Sequence, residues 1–162
     1  MPTALLSDFS RVLLRPKDRK YTGGLNALHK RLLAELKGTY QILDYYELND
    51  ELLDFYKSLK AKYPVNLFTT DIIQNHPEIR ARLKPVFDYI FAANDLGLSK
   101  KDPQAYIFIA NKLHLDPHEI VYVDDQLTNV EAANKAGLTA FQYDNDNQEM
   151  IAKIKALLSP KP

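Results

Sequence analysis

"EIVYVDDQLTNVEAANKAG", residues 119–137, is the stretch from which the rest of the chain is read. Its first half climbs through Ile120, Val121, Tyr122 and Val123 without a polar break, then stops at two carboxylates, Asp124 and Asp125. Continuous rather than alternating apolar character suits a strand covered on both faces, as in a parallel sheet. The second half, from about Leu127 to Ala136, reads as a helix that ends at Gly137, where a glycine commonly closes the last turn.

The same habit recurs upstream. "TALLSD" (3–8) and "VNLFTTD" (65–71) also rise through apolar residues and stop at hydroxyl and carboxylate groups, and "FDYIFA" (87–92) and "TAFQY" (139–143) read as two further strands. Helical stripes fall between them. Leu25, Leu28, Leu32 and Leu36 precede Gly38, and Leu48, Leu52, Phe55, Leu59 and Tyr63 follow, with Asp50 and Glu51 in a first turn whose dipole favours acids. Pro77 opens a helix through Ile79 and Leu83, and Asp102-Pro103 reads as N-cap and first turn before Tyr106, Ile109 and Leu113. Met150, Ile154 and Leu157 stripe a last helix, and the tail "SPKP" is expected to fray. Strands alternating with helices predict an α/β, three-layer Rossmann-like fold with a mostly parallel central sheet.

Residues 15–47 interrupt this rhythm with "RPKDRKYTGG", one leucine-striped helix and "TYQILDYYE". That is too much chain for a tight connection and too little for a second core, so it predicts a small helical insertion after strand one in a single domain spanning 1–162. The tyrosines at 40, 45, 46, 56 and 63 are expected to pack around it.

Composition narrows the function classes. Lysine plus arginine number 21 and aspartate plus glutamate 21, so the formal charge is zero, which argues against nucleic-acid or membrane-surface binding by clustered positive charge. There is no cysteine, which excludes disulfides, thiolate zinc sites and cysteine nucleophiles. No basic region followed by a long apolar stretch opens the chain and no run reaches membrane-spanning length, so a cytoplasmic location is expected. The histidines at 29, 76, 114 and 118 show no metal-ligand spacing.

Ligands of open parallel sheets bind outside the carboxyl ends of the strands. That rule gathers Asp8, Thr69, Thr70, Asp124 and Asp125 on one rim. Converging carboxylates repel unless a cation sits between them, and hard oxygen donors without histidine or cysteine favour Mg²⁺. A nearby lysine and hydroxyls would then suit a phosphoryl group.

These segments resemble, in order, the motifs of the haloacid dehalogenase-like hydrolase superfamily. "LLSDFS" matches an apolar strand ending in a nucleophilic aspartate, Asp8, and "NLFTTD" matches a strand ending in Thr or Ser, here Thr69 with Thr70 behind it. "GLSKKDPQAY" is similar to a Gly-x-x-Lys-Pro-Asp-Pro stretch, with Lys100 on the family lysine and Lys101 replacing the usual proline. "VDDQLTN" is close to Val-Asp-Asp-Ser-x-x-Asn, with Asp124, Asp125 and Asn129. The resemblance covers nearly the whole chain apart from 15–47. It implies a phosphatase that forms an aspartyl-phosphate on Asp8, with Thr69 and Lys100 against the phosphoryl group. Mg²⁺ would be held by Asp8, the backbone carbonyl of Ser10 and Asp125, with Asp124 in or beside the ligand set.

Ser10 is the departure. Phosphatases of this superfamily carry a second aspartate two places after the nucleophile, as general acid and base. Serine exchanges no proton near neutral pH, and losing such a group costs about 10²- to 10⁴-fold in rate. Reduced activity on a small phosphorylated substrate or a phosphorylated macromolecule is therefore expected. The alternative is a catalytically inactive relative that binds a phosphorylated ligand or a protein partner. Ser10 is no nucleophile in its own right, since no histidine lies close to it in sequence. Arg11, where the family has glycine or another small residue, is placed at the phosphate pocket as a substrate-binding group. Carbon–halogen hydrolysis tolerates a non-acidic residue 10, but ordinary dehalogenases of the superfamily lack a metal site. The resemblance also implies that residues 15–47, where larger members of the family carry a helical cap, form a reduced cap at most. By the same resemblance, such open sites accept macromolecular or bulky substrates or borrow a cap through a homo-oligomer.

Overall fold

In the computed structural model the described residues are 1–158, so the expected fraying of Ser159–Pro162 lies outside them. Five parallel strands form the central sheet: β1 (Ala4–Ser7), β4 (Val65–Thr69), β5 (Tyr89–Ala92), β6 (Ile120–Asp124) and β7 (Thr139–Gln142). Their order is β5-β4-β1-β6-β7, with β1 at the centre. The remaining pair is an antiparallel ribbon of β2 (Leu14–Pro16) and β3 (Tyr46–Leu48).

Every residue of β1, β4 and β6 is buried, as their largely apolar runs predict, and the burial extends to Asn66 within β4. Side chains of a strand alternate between its faces, and the two cores follow that alternation. Leu5, Leu67, Val121 and Val123 join one cluster, whereas Leu6, Phe68, Ile120 and Tyr122 join the other. On the first side lie α3 (Asp50–Leu59), α4 (Pro77–Leu83) and α8 (Asn147–Leu157), contributing Leu52, Tyr56, Ile79, Met150 and Ile154. On the second lie the short α5 (Ala93–Leu96), α6 (Pro103–Leu113) and α7 (Leu127–Lys135). The expected helix starts hold chemically: Asp102 accepts from the Gln104 N–H at 2.9 Å, with Pro103 in the first turn.

One expectation needs correcting. Leu48 continues the leucine stripe of α3 in sequence, yet it is the last residue of β3. Asn49 breaks the stripe by capping the helix, its side chain accepting from the Leu52 N–H, while its Nδ2 donates to the Val12 carbonyl at 3.0 Å. A residue that satisfies an orphan helix donor and a loop carbonyl together outweighs apolar spacing.

The insertion contains β2, α1 (Leu25–Glu35), α2 (Ile42–Tyr45) and β3. Leu25, Leu28, Leu32, Ile42 and Tyr46 bury into the same cluster as Leu5 and Val65. It is therefore an extension of the main core. Of the tyrosines expected to pack there, Tyr46, Tyr56 and Tyr63 are buried, Tyr40 packs at the edge of the cluster, and Tyr45 is exposed. Polar contacts fix α1 to the loop after β4. Lys30 Nζ meets Asp71 Oδ2 at 2.6 Å, and Asn26 Oδ1 accepts from the N–H groups of Ile72 (3.1 Å) and Ile73 (2.9 Å).

His29 is buried in this seam, with Nδ1 2.5 Å from the Tyr40 hydroxyl and its ring 6.2 Å from that of His76. Burial, then the neighbouring His76, holds the His29 pKa below the ordinary value. The unfolded chain therefore takes up this proton at higher pH than the folded one, and the stability it confers is complete above a pH of about 6.5 and lost as pH falls through the folded value. Urea unfolding from about pH 7.5 down to about pH 5.5 is expected to lose stability more steeply in the wild type than in His29→Gln. Parallel slopes would refute this assignment.

Candidate active site

Because β1 and β6 are neighbours with Ser7 opposite Val123, the next residue on each strand, Asp8 and Asp124, falls side by side. The Asp8 N–H donates to the Val123 carbonyl at 2.8 Å, which fixes the turn leaving β1. Asp8 is 4% exposed and Asp124 fully buried, with Asp125 half-buried beside them. Each of the three offers a carboxylate oxygen, and these oxygens lie within 4.8 Å of one another.

Lys100 comes from the loop before α6 and is 6% exposed. Its Nζ sits 2.7 Å from Asp8 Oδ1 and 2.9 Å from Asp124 Oδ2. Lys101 is exposed, so Lys100 is the lysine that reaches the carboxylates. The Tyr106 hydroxyl donates to the Lys100 carbonyl at 2.7 Å, and the ammonium lies 5.4 Å from the Phe68 ring centre and 5.8 Å from that of Tyr122. A desolvated ammonium is attracted to aromatic faces, so the cage fixes its direction as well as its charge.

Asp124 is the most supported acid. Its Oδ2 accepts from the Tyr122 hydroxyl and from Asn129 Nδ2 at 3.1 Å, and its Oδ1 from the Gln126 N–H at 2.8 Å. Burial alone would raise its pKa, but Lys100 and these donors hold it below the ordinary carboxylate value. Asp8 behaves oppositely: burial pushes it well above that range, Lys100 opposes the shift, and Asp124 adds to it. Burial, then Asp124, pushes Asp125 up to about 6. Three carboxylates facing one ammonium leave excess negative charge in a dry place. A hard divalent cation fits that donor set, because all its side-chain ligands are oxygens.

The other expected residues sit around this centre. Thr69 ends β4, the other neighbour of β1, and its Oγ1 is buried without a hydrogen-bond partner. Thr70 is exposed, and its carbonyl accepts from the Asn94 N–H at 3.0 Å. Ser10 is half-buried in a bridge to Leu14. Arg11 follows with φ of 62°, in the left-handed region, which costs a non-glycine residue roughly 1–2 kcal/mol. Its Nη2 donates to the Gly23 carbonyl at 2.6 Å and to that of Tyr21 at 3.3 Å, tying the insertion to the rim.

Three supporting residues went unnoticed in sequence. Tyr122 reads as one more apolar strand residue, but its hydroxyl braces Asp124. Ser7 Oγ donates to the Asp8 carbonyl at 2.9 Å and lies 3.1 Å from the Tyr56 hydroxyl, and Gln142 Nε2 donates to the Asp125 carbonyl at 3.0 Å. The only local signal was a hydroxyl inside an apolar run, at Ser7 and Tyr122.

A family model for hydrolases of the haloacid dehalogenase-like type matches residues 7–137, from the start of this site to the end of α7. The chain belongs to the haloacid dehalogenase-like hydrolases. It is 28% identical over 107 residues to D-ribitol-5-phosphate phosphatase of Bacteroides thetaiotaomicron, covering 61% of this chain and 52% of that one. It is 29% identical over 116 residues to (S)-2-haloacid dehalogenase 4A of Burkholderia cepacia, covering 61% and 50%. The matched stretch thus spans about half the length of each of these relatives. In fold it is similar to a haloacid dehalogenase family enzyme of Bacteroides thetaiotaomicron crystallised with magnesium and inorganic phosphate. The TM-score is 0.64 at 15% identity, over 93% of this chain and 99% of that one. Among the described residues, no helix is long and apolar enough to cross a membrane.

Proposed function

We propose that this hydrolase is a magnesium-dependent phosphatase whose nucleophile is Asp8. The observation that carries the reading is the convergence of Asp8, Asp124 and Asp125, with a single buried ammonium, Lys100, bonded to the first two. Mg²⁺ would be held by Asp8, Asp125 and the backbone carbonyl of Ser10, with Asp124 in or beside the ligand set. When bound it supplies positive charge against the phosphoryl oxygens.

The chain's own residues do the rest. An Asp8 oxygen attacks phosphorus, the bond from phosphorus to the leaving oxygen breaks, and an aspartyl-phosphate results. Water then cleaves that acyl phosphate, releasing inorganic phosphate and restoring the carboxylate. Lys100 balances charge on the nucleophile and the phosphoryl group. Thr69 Oγ1 donates to a phosphoryl oxygen, Thr70 lines a pocket together with Lys100, and Arg11 binds the substrate from the cavity beside Asp125. Ser10 offers no proton to the leaving oxygen, so acyl and aryl phosphates, which leave without one, should be better substrates than alkyl esters. The phosphatase among the relatives supports this reading. The dehalogenase relative favours carbon–halogen hydrolysis, in which the halide also leaves unprotonated, but an all-carboxylate cluster suits a cation better. A small phosphorylated molecule, or a phosphorylated macromolecule, handled in the cytoplasm by a monomer or homo-oligomer completes the proposal.

The test is phosphate release from an aryl phosphate, with and without chelator. Turnover that survives removal of divalent cations, or chloride release from a 2-haloacid, would overturn the reading. Thr69→Val gives an independent check. Replacing a buried, unpartnered hydroxyl by a methyl group should raise stability by about 1 kcal/mol while turnover falls.

Ser10 favours a second reading, a protein that binds a phosphorylated ligand or a protein partner without turning it over. The two separate on the response to Ser10→Asp.

A further inference from the structure

Beside the carboxylates lies a cavity of about 610 Å³ that extends beyond the groups holding the phosphoryl oxygens. Asp125 belongs to its wall, so it opens directly off the site, and Arg11, Arg15 and Arg19 line it together with Tyr21 and Tyr143. The arginines are not equivalent. Arg15 and Arg19 share one acid, with Nε of the first 2.7 Å and Nη2 of the second 2.5 Å from Glu47 Oε1. Arg11 has no carboxylate within salt-bridge distance among the described residues, and the partners found for its guanidinium are the Tyr21 and Gly23 carbonyls.

Those two bonds engage Nη2, which both two-donor edges of a guanidinium share, and leave Nε–H and Nη1 as separate donors for other groups. Each is a charge-assisted donor whose natural complement is a carboxylate or phosphate oxygen. The backbone is strained to put them there, since Arg11 adopts a positive φ three residues after the nucleophile. Strain of this kind in a site is a reason to look for a ligand that uses it. Asp18 and Asp144 also line the cavity, and neither is within salt-bridge distance of Arg11; Asp18 Oδ1 accepts from the Lys20 N–H at 2.9 Å.

We infer that the substrate carries a second anionic group, a carboxylate or a further phosphate, which Arg11 receives in this cavity while the scissile phosphoryl group sits at Asp8 and Lys100. This rests on the phosphatase reading and narrows it to phosphorylated acids and bisphosphates. Arg11 is then a specificity residue, and its carbonyl contacts make the insertion part of the recognition surface.

The test is calorimetric binding, in magnesium, of two non-hydrolysable series of matched length: alkylphosphonates, and the same chains ending in a carboxylate or a second phosphonate. At the chain length that spans the cavity, the second anion should gain about ten- to a hundred-fold in affinity. Arg11→Met should abolish that gain. Arg11→Lys, which keeps the charge and loses the guanidinium's fixed donor directions, should keep part of it, and it serves as the decisive variant if Arg11→Met does not fold. If alkylphosphonates bind and the second anion gains nothing at any length, the inference is overturned and the phosphatase reading stands. A gain that survives in both variants overturns it equally. If neither series binds, the phosphatase reading falls and this inference falls with it.

Discussion

Asp8→Asn is expected to abolish magnesium-dependent phosphate release from an aryl phosphate, a loss on the order of 10⁴-fold or more, as removal of a covalent nucleophile brings elsewhere. The amide keeps the size of the side chain and can still accept from Lys100, so the geometry of the loop should persist. What disappears is the attacking oxygen and one of the converging anionic donors. The same change should leave the protein equally or more stable without metal. Asp8 is buried beside Asp124 and Asp125 with one ammonium to share, and burial pushes its carboxyl well above the usual range. A neutral isostere removes that penalty. Thermal melting in chelator should thus rise or hold for Asp8→Asn, and the further rise on adding Mg²⁺ should shrink relative to wild type. Retained turnover would remove Asp8 from the chemistry, and a collapse of the melt would make its role structural.

Ser10→Asp is the second large effect, and it runs towards gain. A carboxyl two places after the nucleophile would protonate the leaving oxygen and then activate the hydrolytic water, which typically contributes about 10²- to 10⁴-fold. The gain should be greatest on alkyl phosphates, whose leaving groups need the proton, and small on aryl or acyl phosphates. Measuring kcat/KM on both classes separates an acid–base effect from a general improvement in binding. Ser10 is half-buried at a bridge rather than sealed in the core, so an aspartate there is tolerable. If neither class of substrate is turned over after the change, the protein is a binder rather than a phosphatase.

Much of this architecture was legible in the sequence because its signals are local. Largely apolar runs marked β1, β4 and β6 as covered strands, and the acids at the ends of β1 and β6 marked the rim. The β2–β3 ribbon was illegible because each strand has three residues, one of them a proline, and their register joins Leu14 to Leu48 across the whole insertion. Leu48 was misassigned for a related reason: apolar spacing cannot see that Asn49 already has a loop carbonyl to satisfy. At the site, the acids and Lys100 could be named one by one. The roles of Tyr122, Ser7 and Gln142 depend on which strands lie adjacent and which loops fold back, and pairwise proximity of that kind is not written in any single segment. Ser10 could be recognised as an exception, but the orphaned Thr69 hydroxyl and the absence of a carboxylate beside Arg11 among the described residues follow only from how the chain folds.

The insertion's shared core has a consequence for the rhythm of turnover. Lifting it from the sheet would strip Leu25, Leu28, Leu32 and Tyr46 of their packing, each side chain worth roughly 1.5–3 kcal/mol or more. Such a movement is partial unfolding, too rare to be a step in every catalytic cycle. The entrance is therefore expected to keep one width, with candidate substrates sorted by whether they fit a standing opening. Rates limited by chemistry inside such an opening should be indifferent to solvent viscosity, whereas an enzyme that must swing a cover open and shut is slowed by a thicker medium.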